Sequence, residues 1–116
     1  MPTTPILLAE DEPSSVFFFE RLAKKLNIPN PIHVARDGRE ALDYLQGMGE
    51  FADRQRHPLP GLVILDLKMP WMTGLEVLRQ IRADPGLRTL IVVMMTSSAS
   101  DADIRTAYEL GANAFL

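Results

Sequence analysis

Short runs of hydrophobic residues alternate along the chain with segments in which hydrophobic residues recur every three or four positions. The runs occupy residues 6–9, 32–36, 62–65 and 90–95, and residues 113–116 begin a fifth. Apolar runs of this length are typical of strands that are buried on both faces of a parallel sheet. The pattern therefore predicts five strands, of which 32–36 is the weakest in hydrophobicity.

Between the strands, the hydrophobic spacing predicts four helices. The positions at helical spacing are Val16, Phe19, Leu22, Ala23 and Leu26; Ala41, Leu42 and Leu45; Leu75, Leu78 and Ile81; and those of a last helix at about 101–110. Phe17 and Phe18 flank the inward position Phe19, and partial burial is predicted for both. Residues 47–60 show neither period and are rich in charges, proline and glycine, so a long surface loop is predicted there.

Strands that alternate with helices form parallel β-α-β units with right-handed crossovers. The prediction is one α/β domain over residues 1–116, a doubly wound sheet with helices on both sides. In such sheets, ligands bind beyond the carboxyl ends of the strands. Polar residues at those ends are therefore the candidates for function.

Composition narrows the classes of function. Hydrophobic residues make up 47% of the chain, enough for a core, and the formal charge of -3 is spread over interspersed acidic and basic residues. Neither a nucleic-acid-binding face nor a membrane-binding stripe is indicated. The chain has no cysteine, which excludes disulfides, thiolate metal sites and a cysteine nucleophile. A cytoplasmic location is expected.

Three of the predicted strands end in side chains that can bind a cation or a phosphoryl group. Glu10 and Asp11 follow the first strand, Asp66 the third, and Thr96 and Ser97 the fourth. Carboxylates gathered at one sheet edge repel one another, and a hard divalent cation relieves that repulsion. We expect Mg²⁺, with Asp11 and Asp66 as direct ligands.

A carboxylate beside Mg²⁺ can act as a nucleophile and form an aspartyl phosphate. Asp66 is the best placed for this reaction. The Thr96 hydroxyl and a backbone amide near Ser97 are expected to donate hydrogen bonds to the phosphoryl oxygens.

Three stretches in this order resemble the receiver domains of two-component response regulators. They are Ile-Leu-Leu-Ala-Glu-Asp-Glu at 6–12, Val-Ile-Leu-Asp-Leu-Lys-Met-Pro-Trp-Met-Thr-Gly at 63–74, and Val-Val-Met-Met-Thr-Ser at 92–97. The resemblance implies a flavodoxin-like fold with strand order 2-1-3-4-5. It implies that Asp66 is the phosphoacceptor for a sensor histidine kinase or a phosphotransfer protein. It also implies that Glu10 binds the metal through water and that the Lys68 backbone carbonyl is a further ligand.

The same resemblance implies a signalling switch that catalyses only its own phosphorylation and dephosphorylation. Thr96 would move toward the phosphoryl group, and Phe115, at the position of the family's aromatic switch, would follow it. The face formed by the fourth helix and fifth strand would then change its affinity for a downstream protein target, or for a second copy in a homodimer. The loop at 47–60 resembles a single-domain subgroup that includes partners of bacterial phytochromes.

The family pattern also contains a lysine that would fall two residues beyond Leu116, followed by a fifth helix. Neither lies within these 116 residues. The sequence is therefore interpreted as a receiver domain that is incomplete at its C-terminal end.

Two other functions fit parts of the sequence. A metal-dependent phosphatase with an aspartyl nucleophile needs a second acid two residues after Asp66, where Lys68 stands. A degenerate receiver would act as an interaction module without phosphorylation. Trp71 is predicted to be partly exposed, and His33 and His57 are isolated residues with no indicated metal partner.

Overall fold

The computed structural model describes residues 4–96 and 100–116. Its centre is a parallel sheet of five strands in the order β2-β1-β3-β4-β5, which confirms the predicted fold class and strand order. The strands are β1 (Ile6–Ala9), β2 (Ile32–Ala35), β3 (Leu62–Asp66), β4 (Ile91–Met95) and β5 (Ala114–Phe115). All five lie within one residue of the predicted limits or inside them.

In the described part of the chain, four α-helices connect the strands: α1 (Pro13–Lys25), α2 (Gly38–Gln46), α3 (Gly74–Ala83) and α4 (Asp101–Glu109). Side chains fix the starts of the last three. Asp37 accepts a hydrogen bond from the Glu40 amide, Thr73 caps α3, and Ser100 caps α4 in a reciprocal capping box with Asp103. Within the described ranges, no helix has the length and apolar character needed to cross a bilayer.

The hydrophobic core lies between the sheet and helices α2, α3 and α4, hereafter the three-helix face. Side chains of β1, β3 and β4 alternate, so that every second one points into this core. The fully buried side chains that build it include Leu7, Leu45, Val63, Leu65, Leu78, Ile81, Val92 and Met94. Phe115 of β5 is half-buried against the same cluster.

The other side of the sheet, hereafter the α1 face, is covered only in part by the described residues. The alternate strand residues, such as Leu8 and Ile64, point this way and are buried, yet α1 contains no buried residue. Phe17 and Phe18 are 61% and 62% exposed, so the prediction of partial burial was wrong. Helical spacing identified α1 correctly, but spacing alone does not report whether a second element lies over the helix.

The segment between α2 and β3 is more ordered than its sequence indicates. It contains a 3-10 turn at Gly49–Ala52, and the Arg54 guanidinium donates hydrogen bonds to the carbonyls of Tyr44, Leu45 and His57 at 2.8 to 3.1 Å. The first two carbonyls belong to the last turn of α2, and the Tyr44 carbonyl also accepts a hydrogen bond from the Gly47 amide at 3.2 Å. Arg54 therefore fastens this loop to the end of α2.

Tyr44 completes the attachment of the loop. Its hydroxyl donates to the Pro58 carbonyl at 2.9 Å and pairs with His33 Nδ1 at 3.1 Å, while its ring packs edge-on against His57. Both histidines therefore have packing roles against a buried tyrosine. The sequence contains no local signal for this cluster, because its members come from three separate segments.

Arg82, near the end of α3, attaches a second loop by the same kind of contact, at the β5 edge of the sheet. Its guanidinium donates to the Gly111 carbonyl at 2.7 and 3.0 Å, to the Leu90 carbonyl at 2.7 Å and to Asn113 Oδ1 at 2.9 Å. The Asn113 side-chain oxygen in turn accepts a hydrogen bond from the Val92 amide at 2.8 Å. The turn between α4 and β5 is thereby fixed to the end of α3.

Candidate functional site

Strand register brings the predicted acidic residues together. Ala9 of β1 lies beside Leu65 of β3, so the residues that follow them, Glu10 and Asp66, emerge side by side at the carboxyl edge of the sheet. One carboxylate oxygen from each of Glu10, Asp11 and Asp66 lies within 4.8 Å of the others. The structure thus places the three carboxyl groups in one site, as the sequence predicts.

The backbone around Asp66 is held by hydrogen bonds. The Leu67 amide donates a hydrogen bond to the Met95 carbonyl of β4 at 2.9 Å, and the Gly74 amide donates one to the Leu67 carbonyl at 3.0 Å. A Cβ atom on residue 74 would collide with the Asp66 carbonyl oxygen, so only glycine allows α3 to begin this close. These contacts fix the backbone that carries Asp66 at the end of β3.

Glu10 is the one buried charged residue in the described ranges, at 4% exposure. Burial raises the pKa of its carboxyl group to about 7, and the neighbouring Asp66, by its charge and by a hydrogen bond, acts in the same direction. The Glu12 amide, which donates to Glu10 Oε1 at 3.0 Å, opposes the rise. Burial and the neighbouring Asp66 thus both disfavour the charged form of Glu10.

Burial also raises the pKa of Asp66, and the charge of Asp11 adds to the rise. Hydrogen bonds from the Lys68 amide, at 3.3 Å, and from the Leu67 amide lower it. Desolvated carboxylates that repel one another are the donor set that a hard divalent cation stabilises. The three residues fit such an ion.

The acidic group lines a cleft of about 710 Å³ on the α1 face. Thr96 lines the same cleft, as predicted from its place after β4. The cleft is lined by Glu10, Asp11, Glu12, Ser14, Ser15, Phe18, Phe19, Leu22, Asp66, Met95, Thr96 and Leu116. Sequence reasoning missed the apolar wall, although the helical spacing of Phe18 and Leu22 is a signal that could have indicated it.

The remaining predicted residues lie around this site or outside the described ranges. Lys68 follows Asp66 closely and is exposed, and its amide is one of the donors to the Asp66 carboxylate. Phe115 sits beside Met94 in the β4–β5 register, and Thr96 is the residue that follows β4. Ser97 lies outside the described residues, so its predicted amide contact stays a prediction.

Comparisons with known proteins agree with this arrangement. Residues 6–116 match the family model described as the response regulator receiver domain. The response regulator Rcp1 of Synechocystis is 35% identical over 115 residues, which cover 99% of this chain and 76% of that protein.

Solved structures of similar proteins have the same fold. The bacteriophytochrome response regulator AtBRR is 42% identical with a TM-score of 0.88, covering 100% of this chain and 82% of that one. The phosphorylated cyanobacterial phytochrome response regulator RcpA is 32% identical with a TM-score of 0.91, and the match covers 99% of this chain and 80% of RcpA. The Mn²⁺-bound form of Rcp1 has a TM-score of 0.89 at 34% identity, and the match covers 97% of this chain and 79% of Rcp1.

Proposed function

The chain belongs to the response regulator receiver domain family, and we propose that it works as a phosphorylation switch whose phosphoacceptor is Asp66. A receiver domain is a signalling module of two-component systems. In the proposed reaction, an Asp66 carboxylate oxygen attacks the phosphorus of a phosphohistidine on a sensor kinase or phosphotransfer protein. The new O–P bond replaces the N–P bond, and the histidine imidazole leaves.

The convergence of Glu10, Asp11 and Asp66 is the observation that carries this proposal. Three carboxyl groups within 4.8 Å, one of them on a fully buried residue, are costly unless a positive charge joins them. A packing role does not account for them, because none of the three forms an ion pair or caps a helix with its side chain within the described residues. A cation and an incoming phosphoryl group do account for them.

The proposed metal is Mg²⁺, held by Asp11 and Asp66 directly, by Glu10 through water and by the Lys68 backbone carbonyl. Receiver domains bind a divalent metal at the acidic site, and the related Rcp1 has been seen with Mn²⁺. When bound, the ion neutralises charge on the transferring phosphoryl group. Glu10, buried beside Asp66, is placed to orient a water molecule on such an ion.

The protein's own groups would do the rest of the work. Backbone amides of Leu67 and Lys68 hold the Asp66 carboxylate at the end of β3. The Thr96 hydroxyl and the Ser97 amide would donate to the phosphoryl oxygens that gain negative charge. The small Ser97 side chain would leave the approach to the cleft open.

In the proposed switch, phosphorylation changes the positions of Thr96 and Phe115. Thr96 would move toward the phosphoryl group, and Phe115, half-buried beside Met94, would shift into the space that Thr96 leaves. The surface of α4 and β5 would then bind a downstream protein, or a second copy of the chain, with altered affinity. Two states a few kcal/mol apart are sufficient for such a switch.

The proposed phosphodonor is a sensor histidine kinase in the cytoplasm, and a phytochrome kinase is the most specific candidate. Support comes from the similarity to AtBRR and RcpA, both phytochrome response regulators. The proposal includes no nucleic acid and no membrane as a partner of this domain. A phosphatase reaction on other substrates is not proposed, because Lys68 stands where that chemistry needs a second acid.

Incubation with acetyl phosphate and Mg²⁺, followed by intact-mass and peptide mass spectrometry, tests the proposal. One phosphoryl group should appear on Asp66, Asp66→Asn should show no gain, and the exposed Asp53→Asn should behave like the unmodified protein. Asp11→Asn should raise the Mg²⁺ concentration for half-maximal labelling roughly 10-fold or more. No labelling of a folded protein would instead identify a degenerate receiver that acts as an interaction module.

A further inference from the structure

The most exposed large hydrophobic side chain in the described ranges is Trp71, which is 89% accessible to solvent. It follows Met69-Pro70 and is the one tryptophan of the chain. Its φ angle is +70°, and the Met72 amide closes a tight turn to the Pro70 carbonyl at 2.8 Å. Bulky residues rarely adopt this conformation, which here turns the indole outward, away from the core.

Trp71 borders a groove of about 570 Å³ that is separate from the acidic site at Asp66. The groove lies between α2, the 3-10 turn and the Trp71 turn. Its lining consists of Asp37, Arg39, Glu40, Asp43, Glu50, Trp71 and Met72. Four carboxylates thus face one guanidinium, and that guanidinium already pairs with Asp43 at 3.6 Å.

An aromatic ring beside carboxylates is the chemistry that recognises a guanidinium group. The planar cation stacks on the indole face, its methylene stem packs against apolar atoms, and its N–H groups bind carboxylate oxygens. Within the groove, Trp71 and Met72 supply the apolar surface, and Glu40 and Glu50 supply carboxylates that have no salt bridge in the described structure.

We propose that the groove between α2 and the Trp71 turn is a docking surface for an arginine-bearing segment of a partner protein. Charge complementarity selects this occupant, because the groove is strongly acidic around an exposed aromatic ring. Tryptophan and arginine are also the side chains that most often dominate protein interfaces. The surface does not depend on the phosphoacceptor, since none of its lining residues belongs to the Asp66 site.

A synthetic Gly-Arg-Gly-Arg-Gly-Arg peptide is the probe, with its Gly-Glu-Gly-Glu-Gly-Glu counterpart as the control peptide. Because Trp71 is the sole tryptophan, its intrinsic fluorescence reports directly on the groove. The arginine peptide should shift and quench this emission in a saturable way, and the glutamate peptide should not. Added salt should weaken the binding.

Substitutions locate the site, with binding followed by the anisotropy of a labelled arginine peptide. Trp71→Ala should weaken binding about two- to fivefold. Glu40→Gln together with Glu50→Gln should weaken it by a similar factor, whereas Glu109→Gln on the exposed surface of α4 should leave it unchanged. Thermal melts of each variant show that it is folded.

Asp66→Asn separates this proposal from the phosphorylation switch, because it should retain peptide binding. Backbone amide shifts in NMR spectra should cluster on α2, the 3-10 turn and the Trp71 turn. Equal peptide affinity for Trp71→Ala, Glu109→Gln and the unmodified protein, or unchanged Trp71 fluorescence at saturation, would overturn the proposal. Binding that follows net charge alone, with shifts spread over all acidic surfaces, would overturn it as well.

Discussion

The two faces of the sheet differ in how they treat hydrophobic side chains. On the three-helix face, α2, α3 and α4 bury residues such as Leu78 and Met94 completely. On the α1 face, the helix has no buried residue, and Phe18 projects into a cleft that also contains Asp66. Within the described residues, the completely buried side chains thus lie mainly on the three-helix face, and the acidic site lies on the other.

Strand alternation explains why the site opens where it does. Leu65 points into the core, so Asp66, the next residue, points toward the α1 face, and the same alternation places Glu10 there after Ala9. A site on the three-helix face would be closed off by packed side chains. The position of the acidic group thus allows a protein partner to reach Asp66 without disturbing the core.

Truncation of a core leucine should have the largest effect. Leu78→Ala removes a fully buried side chain from the three-helix face and should lower the free energy of unfolding by about 2–5 kcal/mol. Urea denaturation followed by circular dichroism measures this loss. A loss below about 1 kcal/mol would mean that the core around α3 is loosely packed.

Loss of the Arg54 attachment should have a smaller effect on the same side of the molecule. Arg54→Ala leaves the last carbonyls of α2 without their side-chain donor and should cost about 1–3 kcal/mol. Arg56→Ala, an exposed neighbour in the same loop, is the matched control and should be near neutral. Amide hydrogen exchange should also become faster in the loop of Arg54→Ala, and equal stability of the two variants would contradict the anchoring role.

On the α1 face, the pH dependence of stability should reveal the Glu10 carboxyl group. Its pKa is raised from 4.5 to about 7, so the metal-free folded state holds a proton that the unfolded state has released. Stability from this group is complete below pH 4.5 and is lost as the pH rises through 7. We expect this effect to be smaller than that of a core truncation.

Thermal melts in EDTA between pH 4.5 and 8 test this dependence. Glu10→Gln, which cannot release the proton, should have a flatter profile than the unmodified protein and should be the more stable of the two at high pH. Glu109→Gln serves as the control and should keep the original slope. Parallel profiles for all three proteins would exclude Glu10 as the source.

The smallest effect is expected from a leucine on the α1 face. Leu26 at the end of α1 is 60% exposed, and Leu26→Ala should change the free energy of unfolding by no more than about 0.5 kcal/mol. The same substitution is thus compared on the two faces in one urea experiment. A cost as large as that of Leu78→Ala would break the contrast between them.

Much of the fold was predictable from the sequence. The strands are buried apolar runs that end in polar residues, and this pattern places β3 and its terminal Asp66 to within one residue. The acidic group was predictable for the same reason, because parallel strands end at a common edge. Local sequence is sufficient for features of this kind.

Other features depend on contacts between distant segments. The hydrogen bonds of Arg54 and the packing of Tyr44 against His33 have no periodic signal, so the sequence predicted a long surface loop but not these contacts. The raised pKa of Glu10 depends on its burial, which follows from how the strands and loops close around it. The exposure of Phe18 was missed because amphipathic spacing is the same whether or not another element covers the helix.

The Arg82 anchor has a mechanical consequence for α4. The guanidinium fixes Gly111 and Asn113, just beyond the C-terminal end of this helix, to α3. A helix tethered at one end pivots more readily than it slides, and α4 is about 13 Å long. Each 10° of tilt would therefore carry the far end, at Asp101, through roughly 2 Å while Gly111 stays in place.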